Sequence, residues 1–146
     1  MTVTLKRLVS LSQNLNEASD ALSQQIAQVE SALNELKLGI WAWVELYREA
    51  VDVGGYRVDQ VESVGYGKHK GRWCLLFSTD IPDLGDPVHT SVVPLREAPR
   101  ADRIAAVDKL PKLVEALEAK AVETTELAMA KAKEVARFAQ ELKETA

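Results

Sequence analysis

The sequence predicts an α+β fold. Two long antiparallel helices, N- and C-terminal and coiled-coil-like, hold a small three-stranded antiparallel β-meander between them, and a short helix precedes the C-terminal one. Three observations carry this prediction. Both ends of the chain show apolar residues at heptad spacing. The middle switches to a period of two with glycine-bounded turns. Proline marks the return from strand to helix.

From Thr4 to Lys37 there is no glycine or proline, and Leu8, Leu11, Leu15, Ala18, Leu22, Gln25, Val29, Ala32 and Leu36 step alternately by three and four. Leu5, Ile26 and Leu33 widen this stripe on one flank, so it faces more than one neighbour. At the other end Val107, Leu110, Val114, Leu117, Ala121, Thr124, Ala128, Lys131, Val135, Phe138 and Leu142 repeat the spacing. Pro111 removes a backbone donor and ends any continuous helix there. A short helix over residues 99–109 and a long one over 111–143 follow. An antiparallel register sets Leu36 against Val114 and Leu8 against Leu142, with Gln25 beside Thr124 and Thr125 as a polar layer. The same stripes also suit pairing between chains.

Residues 39–98 form the β zone and a proline-rich loop. "IWAWVELY" (Ile40 to Tyr47) places Ile40, Ala42, Val44 and Leu46 on one face and Trp41, Trp43, Glu45 and Tyr47 on the other. "VESVGY" and "RWCLLFS" read as the second and third strands, and Gly54-Gly55 marks a turn or bulge before the second. A two-residue turn within "GYGKHKGRW" puts Val64, Tyr66, Trp73 and Leu75 on one face. The loop over residues 79–98, with Pro82, Pro87 and Pro94, leaves room for a short extra strand around Thr90–Val93.

A chain of 146 residues suits a single domain. The net charge of −4 argues against a whole-surface attraction to nucleic acid or anionic lipid. Neither a signal peptide nor an apolar run of the ~20 residues that cross a bilayer is evident, so a cytoplasmic protein with no membrane partner is expected. The single cysteine, Cys74, excludes an intrachain disulfide, and its strand context reads as a small core residue.

Two groups of residues stand out as candidate sites. A sheet apolar on both faces needs two covers. Trp41, Trp43, Tyr47, Tyr66, Trp73, Leu75 and Phe77 are therefore either core or an interface with a second chain. Lys68, His69, Lys70 and Arg72 form a basic hairpin tip, and Arg100 and Arg103 open the short helix where its dipole prefers acids. These six are candidate contacts for an anion or nucleic acid; for the two helix arginines, a salt bridge to Asp83 or Asp86 is the alternative. The glycines around the tip match neither a P-loop nor a dinucleotide fingerprint, because the stretch runs strand to strand with no helix N-terminus. His69 and His89 lack a third ligand, and Asp80, Asp83 and Asp86 lack the spacing of a calcium loop. No catalytic constellation is recognised, and no metal or cofactor is expected.

The glycine-bounded hairpin, Trp73 and the "APR..RI" helix start resemble stretches of uncharacterised bacterial and phage proteins, which implies no activity and no residue role. The long helical arms, the doubly apolar sheet and the missing catalytic constellation make the expected function a non-enzymatic protein–protein interaction or assembly module built on coiled-coil arms and a small sheet, of the phage or bacterial accessory kind. It is expected to be a homo-oligomer, with a dimer favoured, or to bind another protein. A nucleic-acid-binding module using the basic tip with Arg100 and Arg103, and an inhibitor that occupies a host enzyme, are the alternatives.

Overall fold

The computed structural model describes residues 2–82 and 90–146. Helix α1 spans Val3–Glu35, strands β1, β2, β3 and β4 span Ala42–Val53, Tyr56–His69, Arg72–Asp80 and Ser91–Pro94, and α2 and α3 span Arg100–Val107 and Leu110–Thr145. A single 3-10 turn, Leu95–Glu97, links β4 to α2. The class is α+β with long terminal helices, as the periodicity indicates.

Thr2 caps α1, its side-chain oxygen accepting from the Leu5 N–H at 3.2 Å. The helix stops where Lys37 turns into the left-handed region at φ 50°. Pro111 is the second residue of α3, where no intrahelical donor is lost, so it opens the helix instead of breaking it.

The sheet is a four-stranded antiparallel meander in the order β1-β2-β3-β4. The expected three strands gain a short fourth, Ser91–Pro94, which pairs Phe77 with Val93. β1 and β2 are longer than expected because Gly54-Gly55 forms a tight two-residue turn, with Val53 opposite Tyr56 and φ of 57° and 85°. Two consecutive positive φ values match the right-handed twist of the flanking strands, and glycine adopts them without a Cβ clash. The second hairpin turns at Lys70-Gly71, so Tyr66 faces Leu75 and Val64 faces Phe77. That is the shared face expected from the sequence.

A bulge corrects one assignment. Pairing slips between Glu45 and Tyr47, so that Val44 opposes Val64 but Tyr47 opposes Glu62. The extra residue moves Tyr47 off the face of Trp41 and Trp43 and onto the face covered by helices.

All three helices pack on one side of the sheet. Ile26 and Leu33 of α1, Ala106 of α2, and Leu113 and Leu117 of α3 close over Ala42, Val64, Tyr66, Leu75 and Phe77, with Leu95 and Ala98 filling the base. On α1 the buried residues are Ile26 and Leu33, from the flank of the predicted stripe, with Leu22 and Val29 of the stripe itself partly buried beside them. The predicted α1–α3 register does not form. Leu8 and Leu142 are 61% and 54% exposed, Leu36 and Val114 face solvent, and Gln25 and Thr124 make no polar layer. Contacts with the sheet order the helices. Ser19 and Ser23 of α1 lie beside α2 and Asn34 beside Trp73, while α3 departs just after α2 and brings Lys120 over Trp41 at the hairpin end. Over the sheet both helices thus advance toward the same end, and their unpacked portions leave the body at opposite ends.

Candidate functional site

Two features stand out once the core is assigned: the end of the β2–β3 hairpin, and the unpacked helical arms.

At the hairpin end β4 is too short to cover β3, which leaves the backbone of residues 73–75 at an open edge. Side chains of α1 fill it. Glu30 Oε1 accepts the Leu75 N–H at 2.8 Å, and Asn34 Nδ2 donates to the Trp73 carbonyl at 3.1 Å. Asn34 Oδ1 accepts the hydroxyl proton of Tyr66. The Tyr66 and Trp73 rings stack, with centroids 5.6 Å apart and planes inclined by 27°. One face of a helical turn thereby fixes an aromatic pair and satisfies backbone groups that would otherwise be orphaned.

Against this wall lies a half-open cleft of about 750 Å³, lined on its basic side by Lys37, His69, Lys70, Arg72 and Arg96. Sequence reasoning identified His69, Lys70 and Arg72. It missed Lys37, at the end of α1, and Arg96, in the 3-10 turn, because neither is near the tip in the chain and no local pattern marks them. Lys68 is exposed beside the cleft, not in it.

Arg100 and Arg103 do not join this group. Arg100 donates to Asn16 Oδ1 at 3.1 Å, and Arg103 donates to Ser23 Oγ and the Ser19 carbonyl. They clasp α2 onto α1. Ser23 is 11 residues from Asn34, or about 16 Å along the helix. Asp83 and Asp86, the expected salt-bridge partners, and His89 lie outside the described residues. Asp80 accepts from Thr90 Oγ1 at 2.7 Å, tying the loop's ends together.

The aromatic group divides. Tyr66, Leu75 and Phe77 are interior, and Trp73 is half-buried. On the helix-free face Trp43 lies across Gly65, which opposes Leu76 on β3, so the sheet covers part of its second face itself. Trp41 is 57% exposed, with Lys120 Nζ 5.4 Å from its ring centroid. Tyr47 donates to Asp102 Oδ1 at 2.8 Å. The neighbouring Glu62 carboxylate, partial burial and Asp102 hold its hydroxyl protonated well above tyrosine's ordinary range. Cys74 is a buried free thiol, and burial, reinforced by Glu30, raises its pKa, which disfavours the reactive thiolate. Among the described residues no three His, Cys, Asp or Glu side chains gather as a metal site requires. Nor, among them, is any helix long and apolar enough to cross a membrane.

The arms are residues 3–18 of α1 and 122–145 of α3, exposed at every position. They extend about 24 Å and about 36 Å respectively. Along them Leu8, Leu11 and Leu15, and Val135, Phe138 and Leu142, keep heptad spacing with nothing against them.

No protein-family model matches the chain, and neither a curated protein nor a solved structure is significantly similar to it.

Proposed function

We propose that the protein is a self-associating assembly module in which the sheet forms the body and the arms form helical pairs with a second copy. The exposed heptad stripes on the two arms carry this reading. Isolated helices of this length are marginal in water, and each leucine or phenylalanine on the stripe forgoes about 1.5–3 kcal/mol of burial. A partner that covers both stripes supplies the missing contacts.

The partner's chemistry follows from the placement of the arms. Leaving from opposite ends, the arms of one chain are far from each other. A two-fold axis perpendicular to the helices sets the α1 arm of one chain antiparallel to the α3 arm of the other, at both ends of the pair. In that register Leu8 faces Leu142 and Leu15 faces Val135 across chains. In the same register Lys6 falls opposite Glu144, while Arg7 falls opposite Lys143, so the apolar stripes and not charge drive the pairing. Exposed Ile104 and Val107 on α2, which packs against the base of the α1 arm, extend the apolar surface toward the body.

Light scattering tests the idea. The expected mass is twice the chain's 16.1 kDa, falling to that of a monomer when Leu11→Glu and Phe138→Glu are combined. With Cys74→Ser as background, Leu8→Cys with Leu142→Cys forms interchain disulfides, whereas Leu8→Cys alone does not. A wild-type chain that stays monomeric at high concentration with full helix content overturns the proposal.

A further inference from the structure

The cleft at the hairpin end has properties that neither the fold nor self-association requires. We propose that it binds a small phosphorylated molecule carrying a flat ring, of the nucleoside phosphate class.

Charge is the first argument. Lys37, Lys70, Arg72 and Arg96 converge on this cleft in a chain whose net charge is −4, and none forms an ion pair with a described residue. The one lining carboxylate, Glu30, is occupied by the Leu75 N–H. Four cations around a concavity, none paired with a described carboxylate, focus a positive potential that a phosphate group relieves.

Backbone conformation is the second and is independent of charge. Among the described residues only two non-glycine residues have positive φ, Lys37 and Lys70, each at 50°, and both line this cleft. Glycine or asparagine serves better in a helix C-terminal turn and in a two-residue hairpin turn. Lysine at both positions places an ammonium group at the cleft in exchange for backbone strain, a pattern associated with binding sites.

The third argument concerns the wall. Trp73 is half-buried, stacked on Tyr66, and Tyr66 is fixed in turn by Asn34. Such a preformed ring accepts a second flat ring by stacking at little entropic cost. At about 750 Å³ the cleft has the size of small-molecule sites. Arg100 and Arg103 are engaged with α1 elsewhere and do not extend its basic surface. The geometry therefore favours a compact ligand over a long nucleic acid.

Calorimetry and tryptophan fluorescence with ATP, pyrophosphate and a short oligothymidylate as probes test the assignment. ATP is expected to bind saturably and to quench tryptophan emission, with pyrophosphate weaker by at least about tenfold for want of a ring. Arg72→Ala combined with Arg96→Ala should weaken ATP by at least about tenfold. Lys37→Gly with Lys70→Gly should do the same while keeping or raising the melting temperature, which separates lost binding from lost folding. Absence of saturable ATP binding at millimolar concentration overturns the proposal, as does binding indifferent to these substitutions. Oligothymidylate binding about tenfold tighter than ATP would overturn it in favour of a nucleic-acid surface.

Discussion

The indole of Trp43 lies flat over Gly65, its cross-strand partner. A methyl group built on Gly65 would sit 2.5 Å from Trp43 Cδ2 and 2.9 Å from the Ala42 carbonyl oxygen. The glycine is there for close approach, since its backbone has no positive φ. Gly65→Ala must push the indole off the sheet and strain the backbone of β1, at a cost of about 1–3 kcal/mol. Urea unfolding should show that loss together with a red-shifted tryptophan emission. An alanine variant as stable as wild type would mean that the sheet is not closed on this side by Trp43.

Asn34 and Glu30 stand in for the strand that β4 is too short to supply. Asn34→Ala removes the acceptor for Tyr66 and the donor for the Trp73 carbonyl, for an expected loss of about 1–3 kcal/mol. Glu30→Ala leaves the Leu75 N–H of a buried residue unpaired, with a loss of similar size, whereas Glu30→Gln retains an acceptor and should cost less. Chemical denaturation of the three variants orders them. If Glu30→Gln is as damaging as Glu30→Ala, the hydrogen bond to β3 is not what Glu30 contributes.

Most of this architecture was legible in the chain, for identifiable reasons. The period of 3.6 over Val3–Glu35 and Leu110–Thr145 is long and uninterrupted, so the helix ends fall within a few residues of expectation. A two-residue turn at either His69-Lys70 or Lys70-Gly71 puts Tyr66 and Leu75 on one face, which was legible; that the turn is Lys70-Gly71, pairing Tyr66 with Leu75, comes from the fold. The lower halves of β1 and β2 were not legible, because "REAVDVGGYRVD" interleaves charges with valines that only half bury. A bulge leaves no compositional trace, so Tyr47 was assigned to the wrong face. The heptads reported apolar faces in need of cover but not where the cover lies, since a stripe paired within a chain and one paired between chains have the same sequence. The basic cleft was half visible. Its tip is local, but Lys37 and Arg96 reach it only through the fold.

If the arms are separate from the body, removing one should spare the sheet. No residue after Ala121 is even partly buried. A chain ending at residue 121 should therefore fold, keeping the near-ultraviolet dichroism of its tryptophans and running as a monomer. Loss of that signal on truncation would show that the α3 arm supports the body directly.

Alkaline conditions should destabilise the fold. The Cys74 thiol is raised by burial and then by Glu30; the Tyr66 hydroxyl by burial, Glu30 and Cys74; and the Tyr47 hydroxyl by Glu62, burial and Asp102. In the unfolded chain these groups lose protons at about 8.5 for the thiol and about 10 for the hydroxyls. The native state still holds them there, so the unfolded state binds fewer protons and stability must fall as pH rises. The contribution is intact below those unfolded values and is lost progressively as pH climbs toward the raised native ones. Urea midpoints at about pH 8 and about pH 10.5 should show the decline, with a shallower one for Cys74→Ala combined with Tyr47→Phe. Only part of the Tyr47 effect will register, because the residue is 39% exposed and solvent screens its carboxylate neighbours. A midpoint unchanged or higher at the alkaline pH would show that these protons are not held by the native packing around Glu30 and Glu62.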